Sequence, residues 1–308
     1  MKRALSSLTM AALLVGATAA QDLATLPTLT PAQAEELVAK RKGPLKLDAL
    51  TSLSSEVAIV LAKHEGELSL DRLATLLPDA GAALAKHKPV PRFGAADLSL
   101  GGLATLPRET AEALATHQGA LALKSLATLD SLPLAKKLAG QWGELQLNGL
   151  TALSPEVAAV LATNEGVLVD RTRPGVEQRR ADRAPSILRF DSLSTLSPET
   201  ATALAKQKGV LVLNGLQMLS AEVAAALAPH EGVLVLNGLT ILSPETATAL
   251  ASCPGEIVLR EVKELPAGAA EAIANHKSDL YLNGLTTVPP TARTALRANP
   301  KVHLPSEF

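Results

Sequence analysis

The stretch that decides the fold is Leu234-Val235-Leu236-Asn237-Gly238-Leu239, continued by Leu242-Ser243-Pro244-Glu245 and then by Ala247, Leu250 and Ala251. Leu-x-Leu alternation puts Leu234 and Leu236 on one face of a short strand and Val235 on the other. Asn-Gly then reads as a turn in which glycine supplies positive φ. Ser243-Pro244-Glu245 reads as a helix start: serine caps free amides, proline fits the first helical position, and glutamate suits the positive end of the dipole. Ala247, Leu250 and Ala251 follow at the spacing of one buried helical face.

The same frame recurs outward in both directions, opening at Leu45, Leu68, Leu98, Leu121, Leu145, Leu188, Leu211, Leu234, Ile257 and Leu280. Successive steps are 23, 30, 23, 24, 43, 23, 23, 23 and 23 residues, which is the signature of a repeat architecture. A single unit cannot bury its own strand and helix faces. Neighbours must therefore stack, joining their strands into a parallel sheet with helices on the other side. Glycines after each helix, at 66, 119, 166, 209, 232 and 255, read as left-handed helix terminators.

Leu-x-Leu-x-x-Leu-x-x-Leu, exemplified by Leu145, Leu147, Leu150 and Leu153, resembles the leucine-rich repeat family, in particular its bacterial extracellular type with repeats of about 23 residues. The resemblance covers most of Leu26 to Leu304. It departs from the best-known pattern in that Leu150, Leu216 and Leu239 stand where many members carry a buried asparagine. It implies an α/β leucine-rich-repeat solenoid, with a parallel sheet on one face and short helices on the other. It also implies a sheet face that binds other proteins, and it names no reaction.

Composition agrees with thin layers rather than a thick core: aromatics are only 2% of the chain. The formal charge of −1 gives no field that would favour nucleic acid. Lys2 and Arg3, the apolar run from Leu8 to Val15 and the small residues Ala17 to Ala20 read as a signal peptide cut near Ala19 or Ala20. No later run reaches the roughly 20 apolar residues of a membrane span. The expected location is therefore secreted, periplasmic or in the cell envelope. Cys253 is the only cysteine, which rules out an intrachain disulfide.

The expected organisation is a signal peptide over 1–20, a first repeat block over 21–166, a polar insertion over 167–187, and a second block over 188–308. The second block ends in a polar cap where Arg293 and Arg297 replace apolar helix residues. The step of 43 reads as one unit that has lost its helix to the polar segment bearing Arg171, Arg173, Arg179, Arg180 and Arg183. That segment reads either as a hinge between blocks or as a contact for an anionic partner.

The residues between the strand leucines line the open side of the sheet. In the second block they are Arg189, Val212, Val235, Val258 and Tyr281, an expected exposed apolar row and the candidate surface for a protein partner. His64, His87, His117, His230 and His276 share one position after the helix, taken elsewhere by Asn164, Gln207 and Cys253. This exchange points to a polar group capping helix carbonyls. A metal ladder is the alternative, but helices about 8–10 Å apart are too distant to share one ion. No nucleophile elbow, zinc-binding helix, phosphate loop or paired-cysteine motif is present, so no catalytic residue, metal or cofactor is expected. The expected function is a non-catalytic extracytoplasmic protein-binding scaffold. A structural envelope component that self-associates is the second reading.

Overall fold

The computed structural model describes residues 22–88, 96–141, 144–164 and 186–307. A short 3-10 turn, Leu23–Thr25, is followed by helix α1, Pro31–Lys40, whose Thr30 and Gln33 form a complete capping box. Strand and helix then alternate: β1 Leu45–Lys46, α2 Ser55–Leu61, β2 Leu68–Ser69, α3 Pro78–Leu84, β3 Leu98–Ser99, α4 Arg108–Leu114, β4 Leu121–Ala122 and α5 Leu132–Ala139. The series continues with β5 Glu144–Gln146, α6 Pro155–Leu161, β6 Ile187–Arg189, α7 Pro198–Leu204, β7 Val210–Val212, α8 Ala221–Leu227, β8 Val233–Val235 and α9 Pro244–Ala251. It closes with β9 Glu256–Val258, α10 Ala267–Ile273, β10 Leu280–Tyr281, α11 Pro290–Ala298 and β11 Val302–His303.

All strand pairs are parallel, and the leucine frame sets the register: Leu45 opposite Leu68, Leu211 opposite Leu234, Leu234 opposite Ile257. Each helix packs on the next, as α2 does on α3 and α9 on α10. The fold is thus the α/β solenoid that the repeat demands. Its core is one continuous column of leucines such as Leu68, Leu70 and Leu73, joined by helix residues such as Val57, Ala58 and Leu61. Phe190 replaces leucine in one unit and is fully buried. Serine caps behave as read: Ser154, Ser220 and Ser243 each accept from the backbone amide three residues on.

Three expectations need correction. First, β5 and β6 are direct neighbours, with Leu145 opposite Leu188, and α6 packs on α7. No rung without a helix separates them, so the long step is residues added within one unit rather than a unit stripped of its helix. Second, the ladder divides elsewhere. β1 to β4 form one sheet and β5 to β11 another, and the interruption falls at the one step of 24 residues. There the side chain of Gln141 takes the place of the missing strand: its amide accepts from the backbone N–H of Leu121 and donates to Leu121 O at 3.1 Å. Lys137 Nζ donates to Gly119 O at 2.6 Å beside it.

Third, of the glycines read as terminators, Gly119, Gly209, Gly232 and Gly255 are not there for positive φ. Among the described residues that conformation is confined to Gly43 and Gly66, and helices such as α2, α7 and α8 end on right-handed alanines. The glycines mark places where successive units touch. A Cβ on Gly232 would overlap the carbonyl oxygen of Gly209, and one on Gly238 would overlap that of Asn214. The β-carbon is excluded by the backbone of the preceding unit.

This distinction is measurable. Gly232→Ala should destabilise the chain by about 1–3 kcal/mol through overpacking. Gly268→Ala, in α10, where an added Cβ meets nothing closer than 3.4 Å, should be neutral or stabilise by about 0.5–1 kcal/mol. Urea denaturation of both variants decides the matter, and equal effects would return the glycines to a turn-forming role.

Candidate functional site

The candidate surface is built by register. On the open side of the second sheet, Arg189, Val212, Val235, Val258, Tyr281 and His303 occupy consecutive rungs. Arg189 is half-buried and held at one end, its Nε 2.7 Å from Glu144 Oε1 and its Nη1 3.7 Å from Asp191 Oδ1. At the other end, the ring of Tyr281 stacks on that of His303 with centroids 4.4 Å apart and planes 12° from parallel. His303 Nε2 lies 2.7 Å from Asp279 Oδ1.

The apolar row is less open than the alternation implies. Val212 is 3% exposed and Val258 7%, so both are buried, while Val235 and Tyr281 remain half-buried. Strands about 4.8 Å apart place each outward side chain against those of the rungs above and below. Branched valines between such neighbours shield one another. The first sheet shows the same effect with polar groups. Ser69 is buried and its hydroxyl donates to Asp48 Oδ1 at 2.5 Å, while Ser99 donates to Asp71 Oδ1 at 2.6 Å. His303 was missed by the leucine frame, although Val302-x-Leu304 repeats the strand alternation at a step of about 22. Arg171, Arg173, Arg179, Arg180 and Arg183 lie outside the described residues, as does the segment read as a signal peptide.

Behind the sheet runs a second constellation. The residues that follow each helix, His64, His87, His117, Asn164, Gln207, His230, Cys253 and His276, are all buried. His64, His117, Asn164, Gln207, His230 and Cys253 reach back to a carbonyl of the preceding unit rather than capping their own helix, whereas the enclosed rings of His87 and His276 make no hydrogen bond among the described residues. His64 Nε2 lies 2.7 Å from Gly43 O, His117 Nδ1 3.3 Å from Ala85 O, and His230 Nδ1 3.4 Å from Ala205 O. Asn164 donates to Ala139 O at 3.1 Å, and Asn299, which extends the column, donates to Ala274 O at 2.8 Å. The Cys253 thiol donates to His230 O at 3.1 Å, and burial pushes its pKa up. A protonated thiol bound to a backbone carbonyl is a structural group, not a nucleophile.

Burial disfavours the charged form of four of these histidines, His87, His117, His230 and His276. Burial, with His117 and His64 on either side, lowers the pKa of His87 to about 4. Burial likewise lowers those of His117, His230 and His276. Each ring facing a carbonyl must carry its proton on that nitrogen, and a second proton would be charged and enclosed. Among the described residues no group of three or more His, Cys, Asp or Glu side chains is placed to hold a metal ion. No described helix is long and apolar enough to cross a membrane.

Parallel short strands, helices on the opposite side and a leucine frame in register define a leucine-rich-repeat solenoid. No family model and no curated protein matches the chain. Among solved structures, a leucine-rich-repeat protein of Leptospira interrogans is similar at 19% identity and a TM-score of 0.44, over 88% of this chain and 62% of that one. The chain thus spans under two thirds of the Leptospira protein. An internalin, InlF, of Listeria monocytogenes is similar at 10% identity and a TM-score of 0.42, over 90% of this chain and 89% of that one.

The buried histidines set a pH dependence whose sign is fixed. The folded pKa values of His87, His117, His230 and His276 lie below the unfolded value, so the unfolded chain binds more protons between the two. Stability is full above about pH 6.5 and falls with pH toward about 4, the value of His87. Replacing His87, His117 and His230 by asparagine, which does the same work at Asn164 and Asn299, should flatten that decline. Thermal denaturation from pH 7.5 to 4, followed by circular dichroism, tests this, and an unaltered slope in the triple variant would refute it.

Proposed function

We propose that this chain is a non-catalytic, extracytoplasmic scaffold that binds a protein through the open face of its second sheet. The observation that carries this reading is the unbroken row from Arg189 to His303 on a seven-stranded ladder, with polar side-chain pairs at its ends and apolar groups between them. Apolar interface centres with polar margins are the arrangement that protein contacts use. Val235 and Tyr281, half-exposed and two rungs apart, are the anchoring side chains. Val212 and Val258 support them from buried positions. Arg189 and the Tyr281–His303 pair fix the margins. Tyrosine is an efficient anchor because it brings a large area at the cost of ordering two torsions.

Export through the N-terminal segment puts this face outside the cytoplasm. The N-terminus of the exported protein is expected at Ala20 or Gln21, as read by Edman sequencing or mass spectrometry.

The face is tested with Val235→Lys and Tyr281→Ala combined, since Val212 and Val258 are too buried to change without disturbing the fold. Affinity capture from extracellular and envelope fractions should return a discrete protein with the unaltered chain. The folded double variant should lose it by at least about tenfold, the scale of one removed anchor. Equal capture by both would remove the sheet face from the function.

A further inference from the structure

We propose that this chain also self-associates head to tail, the groove between α2 and α3 of one copy receiving the turn that carries Met218 and Ile241 of the next. The groove has a volume of about 430 Å³. Ile59, Ala62 and Ala83 give it an apolar floor, and Lys63, Lys86 and Lys88 surround that floor against the single carboxylate of Glu65. Ile59 is 54% exposed, a large aliphatic group left in water on a helix surface. The lysines stand at the negative ends of their helices, which favours them, but among the described residues none forms a side-chain ion pair.

The complementary element lies five repeats away. Met218 and Ile241 are 80% and 68% exposed, and they occupy the same position in adjacent units whose strands pair Leu211 with Leu234. They form one exposed apolar edge across the turns of two adjacent units. Four residues after each comes a carboxylate in the first turn of the following helix, Glu222 in α8 and Glu245 in α9. Both are exposed and, among the described residues, neither is ion-paired. The Glu245 carboxyl is held below its usual range by its own backbone amide and by Ser243, and so stays charged.

One patch is therefore an apolar groove with a cationic margin and the other an exposed apolar edge with an anionic margin, both on the same chain. This pairing of shape and charge identifies the occupant as a second copy. The two patches are different surfaces, so a contact through one groove and one edge is heterologous, and a closed antiparallel dimer would need both contacts to form at once. Each addition leaves one groove and one turn free, so association proceeds to open chains. The inference does not depend on the sheet-face reading, since neither patch contains a residue of that row.

Sedimentation velocity on the chain lacking its N-terminal 20 residues tests the proposal at about 0.01 M and about 0.5 M salt, where screening lengths differ severalfold. Concentration-dependent oligomers are expected at low salt and their dissociation at high salt. Lys63→Glu with Lys86→Glu should keep an intact turn but lose the groove. Met218→Ser with Ile241→Ser should do the reverse. Each variant should be monomeric alone with an unchanged circular dichroism spectrum, and a mixture should give a 1:1 dimer that grows no further. Two outcomes would overturn the proposal: a wild-type chain that is monomeric at low salt up to about 0.1 mM, a concentration that detects even weak contacts, or variants that assemble like the wild type.

Discussion

The distance from one repeat to the next governs this molecule. Paired strands need about 4.8 Å per rung, whereas packed helices need about 8–10 Å, so the two layers cannot advance at the same rate. A stack resolves the conflict by bending, with strands inside and helices outside. Two features hold the units near the lower limit. Alanines such as Ala58, Ala158, Ala201 and Ala224 lie on the buried helix stripe and are small enough to let neighbours approach. Glycines such as Gly232 and Gly238 let the backbone of one unit touch that of the previous unit where any side chain would collide. The frame of leucines fills the space that remains.

Such close stacking encloses polar groups, and the column of residues after the helices shows how they are satisfied. A buried carbonyl without a donor costs free energy comparable to a lost hydrogen bond. In nearly every unit a different side chain meets that need: imidazole at His117 and His230, amide at Asn164 and Asn299, thiol at Cys253. What is constant is a donor that reaches the preceding unit, not a residue type. The same logic operates at the helix starts, where Thr110 donates to Leu76 O at 3.2 Å and Thr246 to Leu219 O at 2.9 Å. These contacts also fix register, because a unit displaced along the strand direction would lose all of them together.

Features that depend on one unit were legible in the sequence; those that depend on contact between units were not. The strand starts follow from Leu-x-Leu, and the serine caps from Ser-Pro-Glu, because both are local. The glycines were read as conformational because a sequence shows their neighbours along the chain but not the carbonyl of Gly209 beside Gly232. Val212 and Val258 were read as exposed because alternation assigns a face, and says nothing of how completely the adjoining rungs cover it. The histidine position was recognised as polar capping, but the capped carbonyl belongs to another unit. β11 escaped because its Val302 departs from the leucine that opens nearly every repeat of the frame.

The break between β4 and β5 shows what must accompany any interruption of such a ladder. An open strand edge presents unpaired amides and carbonyls and invites pairing with a foreign strand. Here Gln141 supplies an acceptor and a donor to Leu121, the same two groups that a peptide unit would offer, and Lys137 covers the neighbouring carbonyl of Gly119. A primary amide is the side chain best suited to this, because it is chemically a peptide group on a tether. These side chains satisfy Leu121 and Gly119 where the first sheet ends, while α4, α5 and α6 continue in contact past it. The second sheet begins afresh at β5, and its opening strand anchors Arg189 through Glu144. All six rungs of the candidate surface, Arg189 to His303, consequently belong to one uninterrupted sheet, in which Leu145 pairs with Leu188 across the step of 43 residues.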